Sequence, residues 1–230
     1  MKLQALASWT HKWLALIVGV QVLFWVGSGL LFAIFPIEQV RSEHRIAHQH
    51  AAPLSAPVQD VSALLPEAPT RVTYERDAAG EPVAVAEFAE RRPILIDLND
   101  WEAASPLTAD AAAQIARAYT AGSPRVRERI LVTEESLEYS GPLPAWRVAF
   151  EDAEGLAVYV AADTARVTAR RSDLWRVYDA LWALHIMDLR DHENFNSGLL
   201  ILTSFTTLIV VLAGFVLFPY RMGWVRRRAG

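Results

Sequence analysis

The chain of 230 residues contains no cysteine. That excludes a disulfide framework, a Cys-ligated zinc or iron–sulfur centre and a thiol nucleophile. It is compatible with an oxidising compartment without demonstrating one. Acidic residues are missing from both ends, and all 26 lie between Glu38 and Glu193. Histidine is scarce: there are six, and none falls between Ala51 and Leu184. That stretch also has no GxSxG, P-loop or GxGxxG, and without an imidazole it has no partner for a nucleophilic serine. No catalytic set is therefore expected there.

Where charge is missing, long apolar runs take its place. One extends from Trp13 to Ile37, bounded by Lys12 and Glu38, and the other from Ser197 to Tyr220, followed by Arg221, Arg226, Arg227 and Arg228. Each exceeds the ~20 helical residues that cross a hydrocarbon core of ~30 Å. Six basic residues lie in the flanks, and the central segment, residues 38–196, holds the other sixteen with all the acidic ones, a net charge of −10. Short basic flanks stay in the cytoplasm while an acidic domain is translocated. The expected topology is a hairpin in a bacterial inner membrane, with both termini cytoplasmic and residues 38–196 periplasmic. Met1 to Phe35 is too long an apolar segment for a cleaved signal and offers no small-x-small site, so it reads as an uncleaved anchor. Membrane lipid is one partner. Nucleic acid is excluded as a partner by the sign of the outward domain.

The central segment has room for one domain or two small ones. Residues 38–57 read as a linker, polar from Glu38 to His50 and then Pro/Ala-rich. Two units follow, 58–106 and 107–171. In the first, Arg71 to Arg76, Pro82 to Phe88 and Pro93 to Asp97 alternate like strands, with a turn at Ala79-Gly80. In the second, Thr108 and Asp110 cap an Ala-rich helix running to Tyr119. Strands follow at Val126 to Val132, Ala145 to Phe150 and Leu156 to Val160, with a turn at Ala153-Glu-Gly155. Both units read as a helix laid on a small antiparallel sheet, an α+β arrangement. Residues 172–196 hold a short amphipathic helix, Ser172 to Leu184, and a polar elbow. Residues 197–220 form the second span and 221–230 a basic tail.

The Ala-rich helix, the strand Pro144-Ala-Trp-Arg-Val-Ala-Phe150 and the ending Tyr159-Val-Ala-Ala-Asp163 resemble a PepSY domain. The opening Thr10-His-Lys-Trp-Leu-Ala-Leu16 and the stretch Trp182-Ala-Leu-His-Ile-Met-Asp188 resemble the PepSY-associated transmembrane proteins. The first unit then reads as a degenerate PepSY-like copy and the second as the PepSY domain proper. Larger, four-span relatives include siderophore-associated reductases of the inner membrane, in which histidines hold haem. This chain has two spans, and Ala15 and Ala213 stand where the family often has Gly and Thr. The resemblance implies one of two roles. The first is a haem b-dependent electron-transfer subunit linked to reduction of a ferric chelate. The second is a non-catalytic binding module for a periplasmic or membrane partner such as a peptidase. The resemblance, together with histidines clustered near the membrane boundaries, tips the balance to the first.

Neutral imidazoles are good axial ligands for haem iron. His11 is expected at the cytoplasmic end of the first span and His185 at the outer face before the second. Each has an equally simple reading, His11 as an interfacial residue and His185 as a packed or snorkelling one. His44 and His48 are spaced i, i+4 and share a face if the first helix continues outward, yet Arg41 to His50 also reads as a solvated tether. His192 reads as a surface residue. The spacing lacks a carboxylate trio or HExxH, so no metal centre is expected. His11 and His185 are too far apart along the helix to share one haem, so haem ligation requires a homodimer or a partner subunit. Gln21 is the one strongly polar residue in mid-span and is expected to face protein, with Ser28 seven residues on along the same face. Thr203, Thr207 and Gly214 make a comparable stripe on the second span.

Overall fold

The computed structural model describes residues 2–47, 53–54 and 60–224. They divide into two compact units, residues 1–36 with 177–230, and residues 37–176.

The first unit is built on two long helices, α1 (Lys2–Ile34) and α5 (Gly198–Arg221). Both are long and apolar enough to cross a membrane. α1 begins well before Trp13 because Lys2, Leu3, Gln4, Ala5, Leu6 and Ala7 are all strong helix formers. It stops at Ile34 ahead of Pro36, since the residue before a proline is driven out of the helical region. Ile37 therefore falls outside α1, in the short helix α2 (Ile37–Val40). The inward stripe of α1 reads Ala7, His11, Leu14, Val18, Gln21, Trp25, Ser28, Phe32, with spacings that alternate between four and three. That repeat keeps one seam facing its neighbours along the whole helix. α5 opens at Ser197, whose Oγ accepts from the Leu200 amide at 3.1 Å as a helix cap. Its seam residues include Thr203, Thr207, Val210 and Gly214, and it packs on α1. A further helix, α4 (Asp173–Ile186), contributes its last ten residues to this unit.

The second unit holds two four-stranded antiparallel sheets. The first runs β1 (Arg71–Arg76), β2 (Pro82–Glu87), β3 (Ile94–Asp97) and β4 (Glu102–Ala103). The second runs β5 (Val126–Val132), β6 (Ala145–Phe150), β7 (Ala157–Ala161) and β8 (Val167–Arg171). Each sheet keeps its strands in chain order. The helix α3 (Ala109–Tyr119) packs on the second sheet, and Thr108 caps it by accepting from the Ala111 amide. The spacing of Ala112, Ala113, Ile115 and Ala116 buries one face of α3. That face joins Val83, Val85 and Leu95 of the first sheet with Val148, Phe150, Val158 and Val160 of the second in a single core. At the Ala79-Gly80 turn Gly80 adopts φ +91°, a conformation that favours glycine.

Two expectations about the elements of this unit differ from the structure. Among the described residues the first sheet has no α-helix of its own. Ser62–Leu64 form one 3₁₀ turn, because Pro66 and Pro69 follow too closely for a helix to extend. Arg41 to Ala47 is not a solvated tether: Val40 and Ser42 are buried, and Ile46 makes an antiparallel bridge with Thr120. Arg45 fixes this segment through Asp152 at 3.0 Å and Glu154 at 3.2 Å.

Phe150 is 1% exposed at the centre of the shared core. Phe150→Ala is expected to destabilise the domain by ~3–5 kcal/mol, read from the urea midpoint of the detergent-solubilised chain. A loss under ~1 kcal/mol contradicts the single-core packing.

Candidate functional site

A polar strip on α1 receives the end of α4. The last four carbonyls of any helix lack intrahelical partners. Here Met187 takes φ +56°, and the Asp188 amide turns back to the Ala183 carbonyl at 3.0 Å, a Schellman-type ending. The next two carbonyls are taken by α1: Gln21 Nε2 donates to Leu184 O at 3.0 Å and Trp25 Nε1 donates to His185 O at 2.6 Å. Ser28 Oγ then meets His185 Nδ1 at 2.7 Å, while itself donating to Phe24 O at 2.6 Å. The Ser28 proton being committed, His185 Nδ1 is the donor and Nε2 is left unprotonated. Rings enclose the imidazole. Trp182 lies parallel to it at 6.3 Å between centroids, and Phe32 and Trp25 stand at 5.4 and 6.5 Å. Gln21 and Ser28 thus face protein, as their shared stripe implies. Trp25 completes the set, and its sequence signal is the same four-and-three spacing.

His11 lies on the same stripe but packs elsewhere. Its Nδ1 stands 2.9 Å from the Val210 carbonyl, so this nitrogen carries a proton, and in the neutral ring Nε2 keeps the lone pair. Gly214 makes room for the ring, since a Cβ there would stand 3.3 Å from His11 Cε1. His11 therefore packs at mid-length of α5 (Gly198–Arg221) and not at the end of the hairpin. The reason is the early start of α1, which carries His11 into its interior. His185 is bonded to Ser28, 17 residues from His11, or ~25 Å along α1. The structure does not bring the two histidines together.

His44 sits in the 3₁₀ turn Glu43–Arg45, with Nε2 3.3 Å from the Glu154 carboxylate. α1 ends at Ile34 and Ile46 is bridged to Thr120, so the first helix does not continue outward through His44. His48 and His50 lie outside the described residues. His192, expected at the surface, is half-buried. Its Nδ1 is 2.6 Å from Asp179 Oδ2 and its carbonyl accepts from Trp182 Nε1. The elbow is organised by Asp188, whose carboxylate accepts from the amides of Arg190, Asp191, Glu193 and Asn194. The Asn194 amide leads these bonds in pulling Asp188 down to about 2. No group of three or more His, Asp or Glu side chains is arranged to hold a metal among the described residues.

In the other unit, the acidic cluster Glu134, Glu135 and Glu138 reads from the sequence as a solvated face, but Glu138 leaves it. It accepts from Tyr159 Oη at 2.8 Å and from Arg176, with Arg147 at 3.6 Å. Burial pushes Glu138 up, but Arg176 and Tyr159 outweigh it and hold the carboxyl below its usual value. Burial first, then the bond to Glu138, pushes Tyr159 up to about 12. Tyr139 stacks on Tyr159 with centroids 4.5 Å apart. This cluster is a fixed structural knot.

Burial holds His185 below its usual 6.5. Folded, it binds fewer protons than unfolded just below that pH, so its contribution to stability is complete above 6.5 and declines as pH falls through it. Melting the detergent-solubilised protein between about pH 7.5 and about pH 5 is expected to show a falling midpoint that His185→Gln flattens. An unchanged slope in the variant contradicts the assignment.

Compared with family models, curated proteins and solved structures, the chain matches none.

Proposed function

We propose that the chain is a membrane-anchored binding module. Its two apolar helices hold a PepSY-like α+β domain at the outer face of a bacterial inner membrane, and that domain engages a protein partner without catalysing a reaction. The topology rests on charge: basic flanks belong on the cytoplasmic side and the segment of net −10 outside. The observation that carries the binding role is the state of the polar side chains in the domain. The buried Tyr159 and the half-buried Glu138 and Arg176 are spent on one another, and Trp146 Nε1 on the Leu107 carbonyl at 2.8 Å. The second sheet meanwhile presents an exposed edge strand, β5.

A second reading, haem-dependent electron transfer toward a ferric chelate, is favoured by one observation. His11 and His185 are both anchored through Nδ1, leaving Nε2 as the lone-pair nitrogen. A ring N–H held by a backbone or hydroxyl oxygen is the usual second bond of a metal-ligating histidine. Haem b held there would supply one-electron chemistry, and the residues fit it as single donors. The ~25 Å between them requires that a homodimer or a partner subunit supply each second ligand.

Absorption spectra of the protein purified in mild detergent separate the two. The binding-module reading predicts a folded, colourless preparation. A reducible Soret band lost in His11→Ala or His185→Ala overturns it in favour of haem. For the topology, a reporter at Tyr139 is expected on the side of the membrane opposite to one at the C-terminus; the same side for both contradicts the anchoring scheme.

A further inference from the structure

We infer that the free edge of β5 is a docking site for an extended acidic segment of a partner protein, which adds to the second sheet as a fifth strand. This inference rests on the binding-module reading. β5 is the first strand of its sheet, and among the described residues no strand pairs with its outer side. Its inner residues, Arg127, Glu128, Arg129, Ile130 and Leu131, are all exposed. β5 is bulged between Val126 and Glu128, but its register is regular from Glu128 to Val132, and these five residues with two exposed aliphatic side chains form a template for strand addition.

The chemistry of the occupant follows from what flanks the edge. Beside its first half lies an open cavity of about 700 Å³, lined by Arg117, Arg125 and Arg129 with Asp110 and Gln114 of α3. Arg129 reaches Asp110 at 3.1 Å and Arg125 reaches Glu151 at 3.8 Å. Both pairs are solvent-exposed, so they are weak and exchange readily for a ligand carboxylate. Beside its second half lies a hollow of about 520 Å³, lined mainly by apolar groups that include Leu131, Leu143, Pro144 and Trp146. Leu131 pairs with Trp146 and Arg129 with Val148 across the β5–β6 ladder, so basic groove and apolar hollow open on the same side of the sheet. Arg125 and Leu131 are six positions apart in the chain, at most ~20 Å when extended. An antiparallel segment fits with an apolar residue toward its N-terminal end and carboxylates toward its C-terminal end.

The test uses the full chain in nanodiscs and two labelled, end-capped peptides, both with valines in the N-terminal half, one with glutamates and the other with lysines at alternate positions of the C-terminal half, read by fluorescence anisotropy. The glutamate peptide is expected to bind, to weaken steeply with added salt, and to lose about tenfold or more in affinity in the double variant Arg125→Glu/Arg129→Glu. Both positions are exposed, so the variant retains the fold, which its melting profile checks. Equal binding of the two peptides, or no effect of the double reversal, overturns the proposal. So does a concentration-dependent dimer abolished by the same variant, which assigns the edge to a second copy. A colourless protein that ignores the glutamate peptide rejects the edge alone; a Soret band rejects the binding-module reading itself.

Discussion

The carbonyls at the end of α4 set the terms for the helical unit. A helix ending against an apolar neighbour has few waters to bond, and each buried unpaired carbonyl costs about 1–3 kcal/mol. α1 answers with Gln21, Trp25 and Ser28, one polar contact per turn, aimed at Leu184 O, His185 O and His185 Nδ1. The same stripe continues downward as Ala7, His11, Leu14 and Val18 beside α5. One helix therefore serves two neighbours, through polar contacts above and, the His11–Val210 bond apart, small or apolar ones below. Phe32 against Tyr178, with centroids 4.5 Å apart, closes the upper end.

The domain solves a different problem, two small sheets with too little core each. A lone four-stranded sheet with a two-residue last strand buries little. α3 supplies the missing surface, with its alanines allowing close approach and Ile115 filling the centre. The sheet faces turned away from this core are finished locally, by Val61, Ile96 and Trp101 on one side and by the stacked Tyr139 and Tyr159 on the other. The β5 edge, with Arg127, Glu128, Arg129, Ile130 and Leu131 exposed, lies at the periphery of this packing.

Much of this was legible in the sequence. Alternation located six of the eight strands to within a few residues, Thr108 marked the start of α3, and the two apolar runs marked α1 and α5. The start of α1 was not legible from hydropathy, because Lys2, Gln4, Thr10 and Lys12 break an apolar run without breaking a helix. The folding of Arg41 to Ala47 onto the domain was hidden because it depends on a bridge to Thr120, far along the chain. The Gln21–Ser28 face was readable from spacing, but its partner was not, since a backbone carbonyl carries no sequence signature. Glu138 looked like one of three surface acids until Arg176 and Tyr159 were seen beside it.

The absence of native cysteine makes the central contact open to direct measurement. Phe32→Cys combined with Tyr178→Cys places two thiols across the α1–α4 seam, away from the hydrogen bonds of the strip. A short bifunctional maleimide applied in detergent is expected to join them within one chain, while a Lys12→Cys/Tyr178→Cys control stays unlinked. Failure of the first pair to link, or equal linking of both, would contradict the docking of α4 on α1.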